Sequence, residues 1–423
     1  MAIKNIIENP TSRIADLPVS SADSPAVDSF GRWRISNPIT TFESYFHHSV
    51  DTIKWESIIS GTGSVTHIPN SSTARLSTGS GNSGAYIYRQ SRRYHHYEPG
   101  KSLLIVLTFV LENAKQNVRK RIGYFDSNNG IFLQQTSEDL RLVRRTGVTG
   151  SADDSDFVTQ NNWNLDPLNG SGKSGINLSV NKSQILIIDL QWLGVGRVRC
   201  GFSFNGNIVY CHEFINANRL TTVYMSTGNL PTRLKIENTG AASGETTLDQ
   251  ICSTVVSEGG YLDVLGTHFS ANRQVSEVAV TTRRAVLSIR PKATLNSIIV
   301  RGLIIPDELS ISPRLNSCLY EIVYNPTFSG TPTWSSADDN SIVEYSTHGD
   351  AAAGAVSGGI VSESGYAIAG TGSLREVTKD FVQSSYPIVL DSAGLNPAAL
   401  SIVCTSVTAA SNILASMDWH ESH

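Results

Sequence analysis

The stretch that decides the fold is KSQILIIDLQWLGVGRVRCGFSFNGNIVYCHEF, residues 182–214. Residues 185–192 predict a strand, because side chains two positions apart lie on the same face of a strand. Gly194 and Gly196 then allow a tight reversal, and residues 197–204 predict a second strand that runs back beside the first. One face of the first strand carries four apolar side chains: Leu186, Ile188, Leu190 and Trp192.

The turn Asn205-Gly206 predicts a hairpin between the second strand and a third strand, residues 207–214. A two-residue type I′ turn needs positive φ at both central positions, which Asn and Gly tolerate best. Such a turn also sets the register of the two strands. We therefore expect three cross-strand pairs: Phe204 with Asn207, Phe202 with Val209, and Cys200 with Cys211.

The composition of the whole chain extends this reading to an all-β protein. Among 423 residues only 17% are charged, Gly numbers 34, and long helical periods are missing. This length leaves room for two cores. We predict two tandem antiparallel β-sandwich domains, jelly-roll-like, at residues 30–258 and 259–423, after an extended N-terminal arm at residues 1–29. The arm, with Pro10, Pro18 and Pro25, is expected either to dock on a neighbouring subunit or to fold back over its own domain.

Several segments around the central strands have individual predictions. The run SLLIVLTFVL at Ser102–Leu111 predicts a buried strand. Residues 146–181 are predicted as a long polar insertion, and Val223–Thr227 as a strand. The segment Gly266–Arg273 is mostly polar and is predicted as a connection. The rings of Phe30 and Trp33 are expected to belong to the first core.

Charge and cysteine content limit the possible partners. The net charge of −4 offers no general reason to expect nucleic acid, and no apolar run is long enough to span a bilayer. Five cysteines without a CxxC motif favour neither a metal knuckle nor a disulfide framework. We expect free thiols, including Cys200 and Cys211.

Two motifs suggest ligands but fit them poorly. Gly170–Gly175 contains Gly-Lys-Ser, yet Pro167 stands where a P-loop needs its first Gly, so a flexible loop is the favoured interpretation. Ser151–Asp156 clusters three carboxylates that could hold Ca²⁺, but the EF-hand spacing is missing. A solvated loop is therefore favoured there, and Asp338-Asp339 is interpreted in the same way.

Catalytic chemistry has no clear signal in the sequence. His47-His48 and His95-His96 place adjacent imidazoles on opposite faces of a strand, which suits surface or interface histidines better than a shared metal. No HExxH or GxSxG motif occurs. We predict a protein that is not an enzyme, with no catalytic residue, metal ligand or cofactor assigned.

A basic and aromatic cluster follows one predicted strand and is the candidate interface. Arg and Tyr are enriched at protein interfaces, but they also suit nucleic acid or sugar stacking. A subunit interface is favoured over nucleic acid because the chain is net acidic; a plain solvated strand end stays open as an alternative. The candidate residues are Arg89, Arg92, Arg93, Tyr94, His95, His96 and Tyr97, with Lys101 close behind.

Several blocks of sequence together resemble a family of virion structural proteins from tailed bacteriophages. The opening segment at Asp28–Pro38 resembles the same family, and the C-terminal half does so more weakly. The blocks are KRIGYFDSNNGIFLQQ (Lys120–Gln135), LVRRTGVTGS (Leu142–Ser151), NWNLDPLNGSG (Asn162–Gly172), QILIIDLQWLGVGRVRCGF (Gln184–Phe202), VYCHEFINAN (Val209–Asn218), VYMSTGNLPTRLKIEN (Val223–Asn238) and ICSTVVSEGG (Ile251–Gly260).

This resemblance implies a particle component made in the host bacterial cytoplasm and located in the virion. Its expected partners are copies of itself and other virion proteins, met through lateral contacts and the arm on the tail (sheath, collar or baseplate region) or the head surface. The alternative is a receptor- or glycan-binding module of the adhesion apparatus, with a host-surface glycan as its ligand. A depolymerase is a third hypothesis, weakened because no carboxylate pair stands out.

Overall fold

The computed structural model describes residues 27–32, 37–79, 83–260, 266–273, 279–349, 351–369, 377–380 and 386–422. It is nearly all-β, and every pairing between its named strands is antiparallel. The predicted fold class is therefore confirmed. Short helical turns occur at Pro69–Ser71, Gln160–Asn162 and Ala351–Gly354.

The N-terminal half, residues 39–258, contains fifteen named strands. In chain order they are β1 (Ile39–Tyr45), β2 (Trp55–Ser60), β3 (Ser64–Ile68), β4 (Thr73–Ser77), β5 (Tyr86–Ser91), β6 (Ser102–Val110), β7 (Val118–Phe125), β8 (Gly130–Gln135), β9 (Leu140–Thr146), β10 (Asp153–Thr159), β11 (Gln184–Leu190), β12 (Val198–Phe204), β13 (Asn207–Phe214), β14 (Thr232–Asn238) and β15 (Thr247–Glu258).

These strands form two sheets that enclose one core. The first sheet has the order β13-β12-β11-β6-β15-β4-β3, with β1 also paired to β15. The second has the order β10-β9-β8-β7-β14-β5-β2. In β6, alternate side chains are buried, as predicted for Ser102–Leu111. Leu103, Ile105, Leu107 and Phe109 belong to the core of the N-terminal half.

The central hairpin has the predicted register near its turn, but the register shifts by one residue at Cys200. Asn205 and Gly206 both have positive φ, 50° and 81°, and Phe202 pairs with Val209 as expected. The pair Cys200–Cys211 was predicted wrongly, because Cys200 lies opposite His212. A β-bulge at this point inserts Cys211 as an extra residue, which shifts the register beyond it.

Two further predictions in this half were wrong. The polar insertion at residues 146–181 contains β10, an outer strand of the second sheet. Val223–Thr227 is not a strand. Instead, Tyr224 and Met225 are buried in the core from a connecting segment, which explains the apolar signal.

The C-terminal half, residues 267–422, contains the remaining named strands. They are β16 (Thr267–Arg273), β17 (Arg284–Pro291), β18 (Thr294–Leu295), β19 (Ile298–Ile299), β20 (Leu303–Pro313), β21 (Cys318–Tyr324), β22 (Thr327–Phe328), β23 (Ser335–Ser336), β24 (Val343–Ser346), β25 (Val356–Ser357), β26 (Ile360–Ala367), β27 (Val377–Asp380), β28 (Leu400–Ser406) and β29 (Ile413–Ser422).

A four-stranded sheet, β16-β29-β20-β27, and a six-stranded sheet, β23-β24-β17-β28-β21-β26, make up most of this half. Alternate residues of β29 are buried, and Met417 and Trp419 are fully enclosed in the second core. The polar segment predicted as a connection is strand β16, paired with β29 along its whole length. The two large sheets of the N-terminal half contain only strands of that half, and the same is true of the two large sheets of the C-terminal half. The exact domain boundaries stay a prediction.

The predicted arm lies mostly outside the described residues, which begin at Val27. Val27, Asp28 and Ser29 are buried. The Ser29 hydroxyl donates to Asp189 Oδ1 at 2.9 Å, and Arg199 donates to the Val27 carbonyl at 2.5 Å. These last residues of the predicted arm are thus held against β11 and β12. Phe30 is 40% exposed, contrary to its expected place in the core, and Trp33 lies outside the described residues.

Within the described ranges, no helix combines the length and apolar character needed to cross a bilayer.

Candidate functional site

The predicted interface cluster divides into buried and partly exposed side chains. Arg89 is 1% exposed and lies over the rings of Trp55 and Phe46, at 5.0 and 5.2 Å from their centroids. It also donates to Gln250 Oε1 at 2.9 Å. Burial lowers the pKa of Arg89 to about 9. This arginine is part of the N-terminal core and presents no surface to another chain.

His95 is also an interior residue. Its ring packs against Phe42 at 4.9 Å, and its Nε2 lies 3.2 Å from the Ser91 hydroxyl. Burial, with a smaller contribution from Arg93, lowers the pKa of His95 to about 3, so the imidazole is neutral at physiological pH. The expectation of a surface or interface histidine is wrong for His95. It holds for His47 and His48, which are exposed.

Among the other members of the cluster, Arg92, Arg93 and His96 are partly exposed, whereas Tyr94 and Tyr97 are buried. Arg92 and Arg93 are partly exposed and donate to the carbonyls of Thr52 and Thr41, at 3.1 and 3.2 Å. Tyr97 is 4% exposed, and its backbone N–H donates to Asn229 Oδ1 at 2.9 Å.

Two cluster residues contact the C-terminal half of the same chain. The guanidinium of Arg301 lies 4.3 Å from the centroid of the Tyr94 ring. His96 Nε2 lies 2.9 Å from the hydroxyl of Ser422. Ser392 strengthens the junction, because its N–H donates to Glu56 Oε2 at 2.9 Å. The cluster therefore contributes to a junction between the two halves of one chain; contact with another subunit stays a prediction.

Beside this junction is a cavity of about 660 Å³, here called the cleft. Both halves line it, including His96, Tyr97, Trp192 and Asn229 from the first and Thr267 and Ser422 from the second. The rings of Tyr97 and Trp192 meet edge to face, with centroids 6.1 Å apart. The indole N–H of Trp192 donates to the Met225 carbonyl at 3.1 Å, which fixes the ring plane. The cleft combines a partly exposed aromatic surface with polar groups.

The two carboxylates of the cleft have structural partners. Glu98 forms an ion pair with Lys101, with Oε2 and Nζ 2.8 Å apart. Glu421 is 1% exposed and accepts hydrogen bonds from the Trp419 indole and the Ile342 N–H, both at 2.7 Å. Groups held in this way are poorly placed to transfer protons to a substrate.

The Gly-Lys-Ser loop surrounds a carboxylate of the chain itself. Asp166 is 3% exposed and accepts hydrogen bonds from the backbone N–H groups of Leu168 at 2.9 Å and Ser174 at 2.7 Å. A Cβ added at Gly172 would lie 1.9 Å from Asp166 Oδ1, so glycine is needed for this close approach. The loop is held by an internal anion, and Lys173 is exposed.

The predicted acidic loop was assigned wrongly, because its three carboxylates lie on strand β10 and two of them pair with arginines. Asp154 forms ion pairs with Arg145 at 2.7 Å and Arg121 at 3.0 Å. Asp156 pairs with Arg144. Partial burial acts to raise the pKa of the Asp154 carboxyl, but Arg145 and Arg121 outweigh it, so the pKa is lowered.

One cluster of possible metal ligands was missed by the sequence reasoning. His268 on β16, Asp307 on β20 and His420 on β29 bring their ligand atoms within 4.8 Å of one another. The signal was absent from the sequence because three separate strands supply the residues. Asp418 lies two positions before His420 on β29; burial raises the pKa of its carboxyl, Asp307 adds to this shift, and His268 opposes it.

All five thiols are free, and burial raises the pKa values of Cys200 and Cys211.

Strand β26 is an outer strand of the six-stranded sheet, where it pairs with β21. Its exposed apolar side chains are Ile360 (36%), Val361 (44%) and Tyr366 (67%), with Ile368 (53%) directly after the strand.

Comparison with known proteins gives fold-level likeness only. No family model matches the chain, and no curated protein matches it. Among solved structures, a carbohydrate esterase from Shiga toxin-encoding bacteriophage phi24B is 13% identical, with 52% of this chain and 99% of that chain covered and a TM-score of 0.31. The CBM2 module of the evolved Dit of Lactobacillus casei BL23 phage J-1 is 8% identical, with coverage of 53% and 98% and a TM-score of 0.34.

A lectin from Bauhinia forficata is 8% identical, with coverage of 52% and 99% and a TM-score of 0.30. Phage-related and lectin-like proteins are therefore among the structures to which this β-sandwich chain is similar. At these scores the neighbours carry no argument about function, so the proposals below rest on the residues of this chain.

Proposed function

We propose that this chain is a non-enzymatic structural component of a tailed-phage virion, which assembles laterally with copies of itself and with other virion proteins. The sequence blocks that resemble phage virion proteins motivate the proposal. The structural observation that carries it is the open edge of strand β26. Within the described part of the chain this strand pairs with β21 alone, and several of its apolar side chains are exposed.

An outer strand offers unpaired backbone N–H and C=O groups to another chain, and proteins usually block such edges with charges, bulges or short strands. Strand β10 is protected in this way by Asp154 and Asp156, which bind arginines of the neighbouring strands. Strand β26 has one bulge, opposite Ile322 and Val323, and one charged residue, Glu363, but its exposed side chains include Val361 and Tyr366. An outer strand whose exposed side chains are mainly apolar fits a contact that is filled on assembly.

The test is the replacement of Val361 and Tyr366 together by lysine. Lysine on an edge strand opposes pairing with another strand, because the charge would lose water on contact. Sedimentation velocity at increasing concentration should show association of the wild-type protein and a monomer for the double variant. Leu315→Lys is the matched control, since Leu315 is 68% exposed on a connecting segment. A wild-type protein that stays monomeric, or a double variant that still associates, would contradict the proposal.

The cleft favours a second candidate, a glycan-binding module. Binding sites for small ligands are concave, about 300–1,000 Å³ in volume, and combine aromatic surface with a few polar groups. The cleft has this size, with Trp192 and Tyr97 beside Asn229 and Ser422. A sugar ring could stack on the indole face while the polar side chains bond its hydroxyls.

A glycan array read with the wild-type protein, Trp192→Phe and Trp192→Ala distinguishes the two candidates. Binding in the cleft predicts retention of specific glycans, with about a tenfold or larger loss in Trp192→Ala and a smaller loss in Trp192→Phe. Near-UV circular dichroism checks that both variants are folded. Equal retention by all three proteins, or none by the wild type, would exclude glycan binding through Trp192.

A further inference from the structure

We propose that His268, Asp307 and His420 form a binding site for a divalent transition-metal ion, with Zn²⁺ the ion that fits best. The site stands independently of the assembly proposal. It is carried by the positions of three side chains on three neighbouring strands.

The backbone places the three side chains on one face of the four-stranded sheet. His268 and His420 are directly opposite each other in the β16–β29 pairing. Met417 and Trp419 point into the core, so His420, which alternates with them, faces outward. Asp307 lies in the register shift of β20 between Pro306 and Leu309. Bulges of this kind commonly re-aim a side chain.

The distances suit a tetrahedral ion. His268 Nε2 lies 3.3 Å and His420 Nε2 lies 3.4 Å from the same oxygen, Asp307 Oδ2. Zn²⁺ binds imidazole nitrogen and carboxylate oxygen at about 2.0–2.1 Å in tetrahedral geometry, which separates its ligand atoms by roughly 3.3–3.4 Å. The distances from the two imidazole nitrogens to the carboxylate oxygen therefore equal the ligand-to-ligand distances of a tetrahedral zinc site.

Charge and ligand type also favour a transition metal. Two imidazoles and a carboxylate suit Zn²⁺ and its neighbours, whereas Ca²⁺ and Mg²⁺ prefer oxygen ligands alone. Asp418 lies on the same face of β29, opposite Ser270 on β16. Together with Asp307 it makes this face acidic near the two imidazoles, which favours a cation. Water would supply the fourth ligand.

The position of the site adds a consequence for the cleft. His420 contributes to the cleft wall as well as to the ligand set. A bound ion would therefore lie at the margin of the cleft. Removal of the ion would free three side chains from three strands close to the junction between the two halves.

The experiment uses untagged full-length protein freed of metal by a chelator and then dialysed. Isothermal titration with Zn²⁺ alone at neutral pH should show one site, and His268→Ala, Asp307→Asn and His420→Ala should each lower the affinity by tenfold or more. His268 and Asp307 have side chains about half exposed, 50% and 52%, so these two substitutions leave the core intact. Titration with Co²⁺ gives an independent readout, because tetrahedral coordination produces visible absorption.

His47→Ala is the matched control, because the exposed rings of His47 and His48 lie 4.4 Å apart and are another place where two imidazoles meet. The control should bind Zn²⁺ as the wild type does. The proposal is overturned by an absence of Zn²⁺ binding at micromolar concentration, by affinity unchanged in His268→Ala and Asp307→Asn, or by affinity lost in His47→Ala instead.

Discussion

Three buried histidines make the stability of the protein sensitive to acid. Burial lowers the pKa to about 3 for His95 and to about 4 for both His212 and His348. In an unfolded chain a histidine titrates near pH 6.5, as a rough reference value. Between about pH 6.5 and pH 4 the unfolded state therefore binds more protons than the native state. The free energy of unfolding must fall as the pH falls through this window.

Replacement of His348 by Gln should reduce the slope of the unfolding free energy against pH, because one histidine fewer takes up a proton on unfolding. The amide can still bond Ser288, whose hydroxyl lies 2.7 Å from His348 Nε2. Urea unfolding at several pH values between 4.5 and 7 measures the slope of the free energy against pH. An unchanged slope in His348→Gln would mean that this histidine becomes protonated without unfolding.

At the level of elements, the β12–β13 hairpin shows how far local sequence rules reach. The pairing of Phe202 with Val209 could be predicted, because a two-residue turn sets the register nearest to it. The register beyond Gly201 could not be predicted from the turn. A Cβ at Gly201 would lie 2.5 Å from the Val209 carbonyl oxygen, so the backbones approach closely where the bulge begins. That approach depends on the packing of the whole sheet.

The other errors have similar physical causes. Strand β10 is rich in Asp, which has low β-propensity, and its stability comes from arginines of neighbouring strands that local sequence does not reveal. Val223–Thr227 has the apolar content of a strand but buries Tyr224 and Met225 from a connection. The metal ligands His268 and His420 become neighbours only through the pairing of β16 with β29.

Gly206→Ala should destabilise the protein by about 1–2 kcal/mol, because a residue with a Cβ is strained at the positive φ of 81°. The added methyl group itself has open space around it, so the strain is confined to the backbone. Gly349→Ala is the control, since this position also has open space and no positive φ. Chemical denaturation measures both, and equal stabilities would contradict the turn assignment.

For the whole molecule, the contacts of Val27 and Ser29 with β11 and β12 decide how far the N-terminus can be shortened without loss of stability. Val27 and Ser29 bond to a fully buried ion pair between Asp189 and Arg199, which Tyr210 also joins through a hydrogen bond of 3.1 Å. Deletion of residues 2–26 leaves these contacts in place. Deletion of residues 2–29 removes them and leaves buried polar groups with fewer partners.

We therefore expect the shorter deletion to unfold at nearly the wild-type temperature. The longer deletion should lose about 1–3 kcal/mol, a shift of several degrees. Differential scanning calorimetry compares the two proteins, and sedimentation velocity shows whether either deletion weakens association, as the predicted docking of the arm requires. Equal unfolding temperatures for both deletions would show that Val27 and Ser29 contribute nothing to stability.

The two ends of the six-stranded sheet are unequal, and this has a consequence for symmetry. The described strand at one end, β26, has eight residues, whereas β23 at the other end has two. A strand of two residues is too short to receive β26 of another copy, so this sheet offers no head-to-tail growth. The partner that matches β26 in length is a second β26, which would pair about a two-fold axis. Such an isologous contact closes at two copies, so a ring or tube would need a different surface to join these dimers.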